Sequence, residues 1–395
     1  MRIDAGRFRD LPGVATLWDA LPAARLVGGI VRDLLAGQKT ADIDFASPAA
    51  PEAVMRVLAT AGIKTVPTGL EHGTVTAIID GRGFEITSLR RDVATDGRHA
   101  DVVYIDDWQQ DAARRDFTFN ALSLERDGRL HDYFGGADDL AAGRVRFVGD
   151  PARRLAEDYL RLLRFFRFQA RFGRLAPDAK TCAALGEAVP GLARLSAERI
   201  WGELKRILAA LDPRTVVGLM ERLGVLAAVL PEGFSSARLD DLVARGAPVD
   251  PLLRVAALLD GDVVAFAARL KLSAAERDRL LALRGSAPRG DDDALRRALA
   301  DTPISVLIDR VWLADGDAGL QARLVSMPAP VFPLQGRDLA SAGMAAGTAM
   351  GAMLTDLRAW WWEGGCRADC AGCLDELARR RAGGQTGAKG PPGTP

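Results

Sequence analysis

An apolar run that ends in two glycines is the feature that most constrains how this 395-residue chain can fold. The stretch from Leu26 to Asp33 reads LVGGIVRD, which predicts a short strand, a tight turn and the start of a helix. Glycines allow a polyphosphate to approach the backbone, and a helix N-terminus favours an anion. Gly28, Gly29 and the following Arg32 therefore indicate a triphosphate cradle.

Two aspartates follow this turn with one residue between them. Alternate residues of a strand point to the same face, so Asp42 and Asp44 are expected to project together, with Ile43 and Phe45 buried behind them. Two carboxylates held this close are costly unless a cation lies between them. A Gly-Gly turn or an Asp-x-Asp pair alone is more often structural, but together and in this order they suggest nucleotidyl transfer.

Composition narrows the class of protein. The chain is 48% hydrophobic and 26% charged, which is typical of a globular protein, and it has no apolar run as long as a membrane span. The first residues lack the apolar segment of a signal peptide, so we expect a cytoplasmic protein. Four cysteines give no disulfide framework, and three histidines disfavour a multi-histidine metal site.

The charge distribution carries a further indication. The net charge is zero, but residues 140–210 contain fourteen Lys and Arg residues against seven Asp and Glu residues. This excess is typical either of a phosphate-binding surface or of solvated helix faces.

The pattern of secondary structure changes near residue 135. Before that point we predict strands at Arg25–Val27, 43–46, Thr74–Ile79 and 84–89, a helix at 51–61 and a mobile loop at 91–101. Gly135 and Gly136 predict a hinge. Beyond them we predict helices at 153–172, 181–189, 197–210 and 213–229, then further helices to about residue 382, and disorder over 383–395.

Two further groups of polar residues fall in the first half of the chain. Glu85 alternates with apolar neighbours on its strand, so it either faces the aspartate pair as a third carboxylate or faces solvent. Arg114 and Arg115 suit bidentate phosphate binding, and Asp116 could accept hydrogen bonds from ribose hydroxyls, with Asn120 one turn later. The alternative is a salt-bridge cluster at a helix end.

The predicted helix 153–172 carries a possible base-reading pair. Asp158 and Arg161 present a hydrogen-bond acceptor beside a donor fork. Cytosine and adenine offer an amino group to the carboxylate, whereas uracil and guanine place a carbonyl there and leave the carboxylate unpaired. The alternative interpretation is a set of intrahelical ion pairs.

Several ordered motifs together resemble a known family. They are Gly28-Gly29-x-x-Arg32-Asp33 with Asp42-x-Asp44, Arg114-Arg115-Asp116 with Asn120-Ala121, Gly135-Gly136 with Asp139-Leu140, Glu157-Asp158-x-x-Arg161-x-x-Arg164, and Arg194 to Ile200. This order resembles that of the bacterial-type (class II) tRNA nucleotidyltransferases, which include CCA-adding enzymes and bacterial poly(A) polymerases.

The resemblance implies an α+β fold and a division of roles. It implies a nucleotidyltransferase head with a mixed sheet at 1–139, followed by an all-helical neck at 140–212, body at 213–325 and tRNA-binding tail at 326–382. Its implied roles are metal binding by Asp42 and Asp44, triphosphate binding by Gly28, Gly29 and Arg32, nucleotide binding by Arg115, Asp116 and Asn120, base reading by Asp158 and Arg161, and support from Arg164 and Arg167. Two Mg²⁺ ions are implied as cofactors, and tRNA, CTP and ATP as partners, with no membrane and no DNA.

Other readings stay open at this stage. A poly(A) polymerase of the same fold, an enzyme that adds only C or only A, and an inactive RNA-binding module are the alternatives. The spacing of Cys366, Cys370 and Cys373 resembles an iron–sulfur ligand run, but it lies in a predicted helical region, which favours coincidence.

Overall fold

A mixed seven-stranded sheet forms the N-terminal part of the protein. The structure is a computed structural model that describes residues 2–3, 8, 11–38, 42–95 and 100–385. Its strands, in the spatial order β3-β4-β5-β2-β1-β8-β9, are β1 (Arg25–Val27), β2 (Asp44–Ser47), β3 (Lys64–Gly69), β4 (Thr74–Ile79), β5 (Arg82–Ser88), β8 (Ser123–Leu124) and β9 (Leu130–His131). The helices beside it are α1 (Val14–Ala20), α2 (Gly29–Leu35) and α3 (Pro51–Thr60). The predicted mixed-sheet head is therefore confirmed.

The position of β2 in the sheet decides which side chains meet. β2 runs antiparallel to β1 and parallel to β5, and the latter pairing places Asp44 opposite Glu85. Phe45 points the other way into the core, where its ring meets Trp18 edge to face at 5.5 Å. Ile43 is only half-buried, but it packs against the same apolar cluster as Phe45.

A separate two-stranded ribbon occupies the segment that the sequence predicts as a loop. The antiparallel strands are β6 (Arg90–Thr95) and β7 (Ala100–Tyr104), so the prediction of a loop throughout 91–101 is wrong. Its centre, residues 96–99, lies outside the described residues. A strand pattern was missed here because Gly, Asp and His cluster between the two strands and dilute the apolar alternation.

The described chain outside the sheet and the ribbon is mainly helical. Its further helices are α4 (Trp108–Ala113), α5 (Gly136–Ala142), α6 (Pro151–Glu157), α7 (Leu160–Phe172), α8 (Ala179–Glu187), α9 (Ala197–Leu208), α10 (Arg214–Arg222), α11 (Val225–Val229), α12 (Ser236–Ala244), α13 (Pro251–Leu258), α14 (Val263–Arg269), α15 (Ala274–Leu283), α16 (Asp292–Asp301), α17 (Ile304–Ala314), α18 (Ala318–Ser326), α19 (Gly336–Ser341), α20 (Thr348–Glu363) and α21 (Cys370–Gln385). The helical remainder predicted from the sequence is confirmed.

Two predicted helices are each broken in two. Asp158 adopts an extended backbone (φ −154°, ψ 108°) between α6 and α7, so the single helix predicted for 153–172 is wrong. The predicted helix 213–229 is interrupted at Gly224, whose φ is 77°. Hydrophobic periodicity continues across both breaks, and this continuity explains why the sequence pattern gives no sign of them.

The chain divides into two compact units. Unit 1 comprises residues 1–236 and 260–272, and unit 2 comprises residues 237–259 and 273–395. Unit 1 contains the sheet and a cluster of aromatic rings around Phe117. The centroid of the Phe117 ring lies 4.8 Å from that of Phe147 and 5.3 Å from that of Phe168. Unit 2 has its own buried clusters, for example around Leu299 and Leu357.

The predicted hinge at Gly135 and Gly136 is a closely packed corner. A side chain at Gly136 would overlap the carbonyl oxygen of Thr118. The Thr118 hydroxyl donates to the buried carboxylate of Asp139 at 2.7 Å, and Arg146 donates to the same carboxylate at 2.8 Å. Glycine is needed here for the close approach of two backbone segments.

Candidate nucleotide site

One cavity in unit 1, of about 530 Å³, collects most of the residues that the sequence singles out. It is lined by Gly28, Gly29, Arg32, Asp42, Asp44, Arg114, Arg115, Asp116, Asn120, Asp158, Arg161, Arg164, Arg167 and Phe168. Glu85 is absent from this lining but neighbours Asp44 on the sheet. The residues come from the ends of β1 and β2, from the segment after α4, and from α7, which are far apart in sequence.

The glycine turn shapes one wall of the cavity. β1 ends at Val27, and Gly28 turns the chain with φ 70° and ψ −125° before α2 begins at Gly29. This conformation is strained for any residue with a side chain. A Cβ at Gly28 would also lie 3.0 Å from an Nη atom of Arg115. The turn therefore requires glycine both for its backbone angles and for the closeness of Arg115.

A chain of charged hydrogen bonds joins this turn to the helices. Arg32 donates to Asn120 Oδ1 at 2.7 Å and to Asp33 at 2.9 Å. The Asn120 amide donates to Asp116 Oδ1 at 2.9 Å, and Arg164 Nε on α7 donates to Asp116 Oδ2 at 2.6 Å. Arg32 is therefore linked to helix α7 through the side chains of Asn120 and Asp116.

Asp116 is ionised within this chain of bonds. Burial alone would raise the pKa of Asp116, but Arg164 and the hydrogen bonds from Asn120 and the Phe117 amide outweigh burial and hold the pKa below its ordinary value. The Arg164 guanidinium is correspondingly stabilised: burial lowers its pKa, Asp116 raises it, and the net direction is upward. The pair is a permanent ion pair at neutral pH.

Three carboxylates form the negative part of the site. Asp44 is partly buried, and Glu85 and Asp42 lie close enough to affect it. Burial first, then the charges of Glu85 and Asp42, raise the pKa of Asp44 to about 6, although Arg115 opposes the shift. Repulsion of this kind is relieved when a cation enters.

The carboxylates fit a hard divalent cation in their chemistry. Carboxylate oxygens are the ligands that Mg²⁺ prefers in proteins. Within the described ranges, no three His, Cys, Asp or Glu side chains are already gathered around one point as a complete metal-binding cluster. A metal site built from Asp42 and Asp44 would therefore be completed by other oxygen ligands. This is usual for Mg²⁺, which keeps several waters and takes substrate phosphates as ligands.

The predicted base-reading residues both lie at the cavity, but they do not pair with each other. Asp158 Oδ1 accepts the Leu160 amide at 3.0 Å, and Asp158 Oδ2 accepts Arg199 Nη2 at 2.8 Å. Arg161 donates to Glu157 at 2.6 Å and to two backbone carbonyls. A carboxylate can accept about four hydrogen bonds and a guanidinium can donate five, so these contacts leave capacity for a base edge.

Four residues that hold the site had no role assigned to them from the sequence. Asp111 forms ion pairs with Arg114 and Arg115. Arg199 forms an ion pair with Asp158, and Glu203 forms one with Arg167 at 2.9 Å. The guanidinium carbons of Arg32, Arg164 and Arg167 lie 4.4 to 5.4 Å from the centroid of the Phe168 ring. The i,i+4 spacing of Asp111 and Arg115 could have indicated an ion pair between them. Arg199 belongs to the motif Arg194 to Ile200, but its contact with Asp158 and that of Glu203 with Arg167 could not be predicted, because α9 is distant in sequence.

Family models match two parts of the chain. The poly(A) polymerase head domain matches residues 24–146, and the probable RNA and SrmB-binding site of polymerase A matches residues 174–235. Both matches lie in unit 1, and the first contains the glycine turn, the aspartate pair and Arg115.

Relatives of known activity extend the match along most of the chain. The mitochondrial CCA tRNA nucleotidyltransferase 1 of Mus musculus is 36% identical over 87% of this chain and 84% of its own length. The corresponding Homo sapiens protein is 37% identical over 86% and 83%. The chain belongs to the CCA tRNA nucleotidyltransferase family. Members of this family are enzymes.

The fold of the family is confirmed by a solved structure. The Bacillus stearothermophilus CCA-adding enzyme in complex with CTP superimposes with a TM-score of 0.75, covering 95% of this chain and 98% of that one at 24% identity. At this identity the likeness concerns the fold.

The C-terminal cysteines are part of a core. Cys366 and Cys373 are buried in the apolar cluster of Leu357 and Trp361, whereas Cys370 is exposed. Burial raises the pKa of the Cys373 thiol to about 11, and the neighbouring Cys370 and Asp369 add to the shift. The two buried thiols act as small hydrophobic groups.

Among the described helices, none is long and apolar enough to cross a bilayer.

Proposed function

We propose that the protein is a template-independent CCA-adding enzyme that transfers CMP and AMP from CTP and ATP to the 3′ end of tRNA and releases pyrophosphate. The observation that carries this proposal is the single cavity that joins the glycine turn, the aspartate pair and the α7 arginines. Similarity to the CCA tRNA nucleotidyltransferases of mouse and human over 86 to 87% of this chain supports the same substrates.

The phosphate end of the nucleotide is assigned to the glycine turn and its arginines. Gly28 and Gly29 leave the backbone open to a triphosphate, while Arg32 and Arg115 supply positive charge beside it. Asn120 accepts hydrogen bonds from both cations, and Asp116 holds the Asn120 side-chain amide in place. Because this wall carries no base-specific group, it serves CTP and ATP alike.

Asp42 and Asp44 would hold the divalent cation, with Glu85 as the third carboxylate beside them. When two Mg²⁺ ions are bound at such a site, they lower the pKa of the attacking 3′-hydroxyl and neutralise charge on the leaving pyrophosphate. Asp42 and Asp44 keep the reacting groups in place, and the apolar backing of Phe45 keeps the carboxylates on the cavity side of β2.

Base selection is assigned to Asp158 and Arg161. The free acceptor capacity of Asp158 suits the amino groups of cytosine and adenine, and Arg161 suits the adjacent ring nitrogen or carbonyl. Uracil and guanine would leave the partly buried carboxylate facing a carbonyl, which costs a hydrogen bond and adds repulsion. Arg199 holds Asp158 in place during this choice.

Addition of labelled nucleotides to tRNA lacking its CCA end tests the proposal. The purified protein is incubated with each of CTP, ATP, UTP and GTP, singly and in pairs. Incorporation of two C residues and one A with a clean stop is expected. Long A tails on unrelated RNA would favour a poly(A) polymerase, single-nucleotide products a C-only or A-only enzyme, and RNA binding without incorporation an inactive RNA-binding module.

The cytoplasmic location, independence of membranes and lack of DNA binding belong to the same proposal. The mouse and human relatives carry the word mitochondrial in their names. Cell fractionation with an antibody to the protein distinguishes these compartments, and a competition assay with duplex DNA tests the choice of nucleic acid.

A further inference from the structure

One buried carboxylate outside the sequence motifs touches both cavity arginines that precede Asp116. The Asp111 side chain on α4 is only 4% exposed. Its Oδ1 accepts Arg114 Nε at 2.8 Å, and its Oδ2 accepts Arg115 Nη2 at 3.4 Å. The first residue of β6 also reaches it, because the Arg90 amide donates to Oδ1 at 3.3 Å. Asp111 therefore contacts two cavity cations and the start of the ribbon.

The capping of α4 does not account for Asp111. The N-terminus of this helix is capped by Asp107, whose carboxylate accepts the Gln109 amide at 2.8 Å and the Gln110 amide at 3.2 Å. Asp111 lies one turn later, where the helix has no unsatisfied amides to cap. A buried carboxylate in mid-helix needs cationic partners, and the partners here are the arginines of the nucleotide cavity.

The position of Arg115 depends on few contacts. Besides Asp111, its guanidinium donates to the Asn120 carbonyl at 3.4 Å and lies against Gly28. Burial lowers the pKa of Arg115, and Asp111 is the strongest influence in the opposite direction. Without the carboxylate, the guanidinium would lose the anion with which it forms an ion pair.

We propose that Asp111 is a positioning residue that holds Arg115, and with it Arg114, in the orientation that receives the nucleotide triphosphate. This inference rests on the proposed function, since it assumes that Arg115 meets a triphosphate. Asp111 itself does not touch the nucleotide, because it lies behind the arginines and does not line the cavity.

A double-mutant cycle with Asp111→Asn and Arg115→Ala tests this role. Asp111→Asn keeps the shape and one acceptor oxygen but removes the charge, and we expect it to raise KM for CTP and ATP about tenfold with a smaller change in kcat. In the Arg115→Ala background the same substitution should change KM less than about twofold, because the group through which it acts is gone. Asp107→Asn, which removes a charge from the same helix but keeps an N-cap residue, should leave KM unchanged.

Each other outcome has a defined meaning. Equal factors in the two backgrounds, or a KM within twofold of the wild type for Asp111→Asn, would overturn the positioning role. If Asp111→Asn fails to fold, Asp111→Glu replaces it in the same cycle, since it keeps the charge and shifts the carboxylate by one methylene. A wild-type protein that transfers neither CMP nor AMP would refute the proposed function, whereas an active wild type with an additive cycle refutes only this inference.

Discussion

Asp44 on β2 lies directly opposite Glu85 on the parallel strand β5. This register brings two carboxylates from different strands to one side of the sheet, and with Asp42 nearby it raises the pKa of Asp44 to about 6. A sheet position that is unfavourable for an isolated protein becomes favourable once a divalent cation compensates the charge. A divalent cation bound beside Asp44 would therefore remove this repulsion.

The first prediction concerns the role of Asp42 and Asp44 in catalysis. Asp42→Ala or Asp44→Ala should abolish incorporation of both C and A while leaving tRNA binding within about twofold, because one cation site serves every addition cycle. Asp80→Asn, at an exposed turn position with φ 50°, is the control for loss of one negative charge. Gel-shift and incorporation assays measure the two properties, and a near-normal rate for either alanine variant with Mg²⁺ would contradict the assignment.

The second prediction concerns the cation itself. Adding millimolar Mg²⁺ should raise the melting temperature of the wild type by a few degrees, since binding to the folded state alone stabilises it by mass action, at about 1.4 kcal/mol for each tenfold ratio of free ion to Kd. Differential scanning fluorimetry in EDTA and in Mg²⁺ measures the shift. The same shift in Asp44→Asn as in the wild type would place the cation elsewhere.

The third prediction concerns base choice. Asp158→Ala should raise misincorporation of U and G relative to C by at least about tenfold, while the affinity for the triphosphate falls much less, because Gly28, Gly29 and Arg32 remain. Arg199→Ala should produce part of the same loss, since Arg199 holds Asp158 at 2.8 Å. Single-nucleotide competition assays provide the selectivity ratios, and an unchanged ratio for Asp158→Ala would reduce Asp158 to a structural ion-pair residue.

The fourth prediction concerns pH and the Asp116–Arg164 pair. Because the pKa of Asp116 is held below its ordinary value, the pair stabilises the fold above pH 4 and loses this contribution as the pH falls through the pKa of the folded state. Asp116→Asn should lower the free energy of unfolding by about 2 kcal/mol at pH 7 and by much less near pH 2.5. Urea titrations at both pH values measure the difference, and a constant difference would contradict the ionised pair.

The fifth prediction uses the β6–β7 ribbon. Cytosine and adenine differ in size yet would meet the same Asp158 and Arg161, so some part of the site must adjust between C and A addition. The ribbon contacts the arginine-binding carboxylate of Asp111 through the Arg90 amide. Deleting residues 96–99, which join the described strands, should impair A addition more than C addition. Equal loss of both activities would remove the ribbon from the switch in specificity.

The sequence predicted the residues that line the cavity better than those that hold them in place. Local patterns located Gly28, Asp44 and Arg115, because each belongs to a short motif whose chemistry depends on neighbouring positions. The break at Asp158 escaped prediction, since the apolar periodicity of α6 continues into α7. The contacts of Arg199 and Glu203 escaped for a different reason. They depend on the packing of α9 against α7, and long-range packing leaves no periodic trace in a single sequence.

The cysteine arrangement in unit 2 has a practical consequence. Of the four cysteines, Cys366 and Cys373 are buried, Cys182 is half-buried and Cys370 is exposed. Thiol reagents act on accessible thiolates, so under native conditions a maleimide dye should attach at Cys370. A Cys182→Ser chain would then carry one natural attachment point at the start of α21. Fluorescence could follow this end of the molecule during RNA binding without any engineered cysteine.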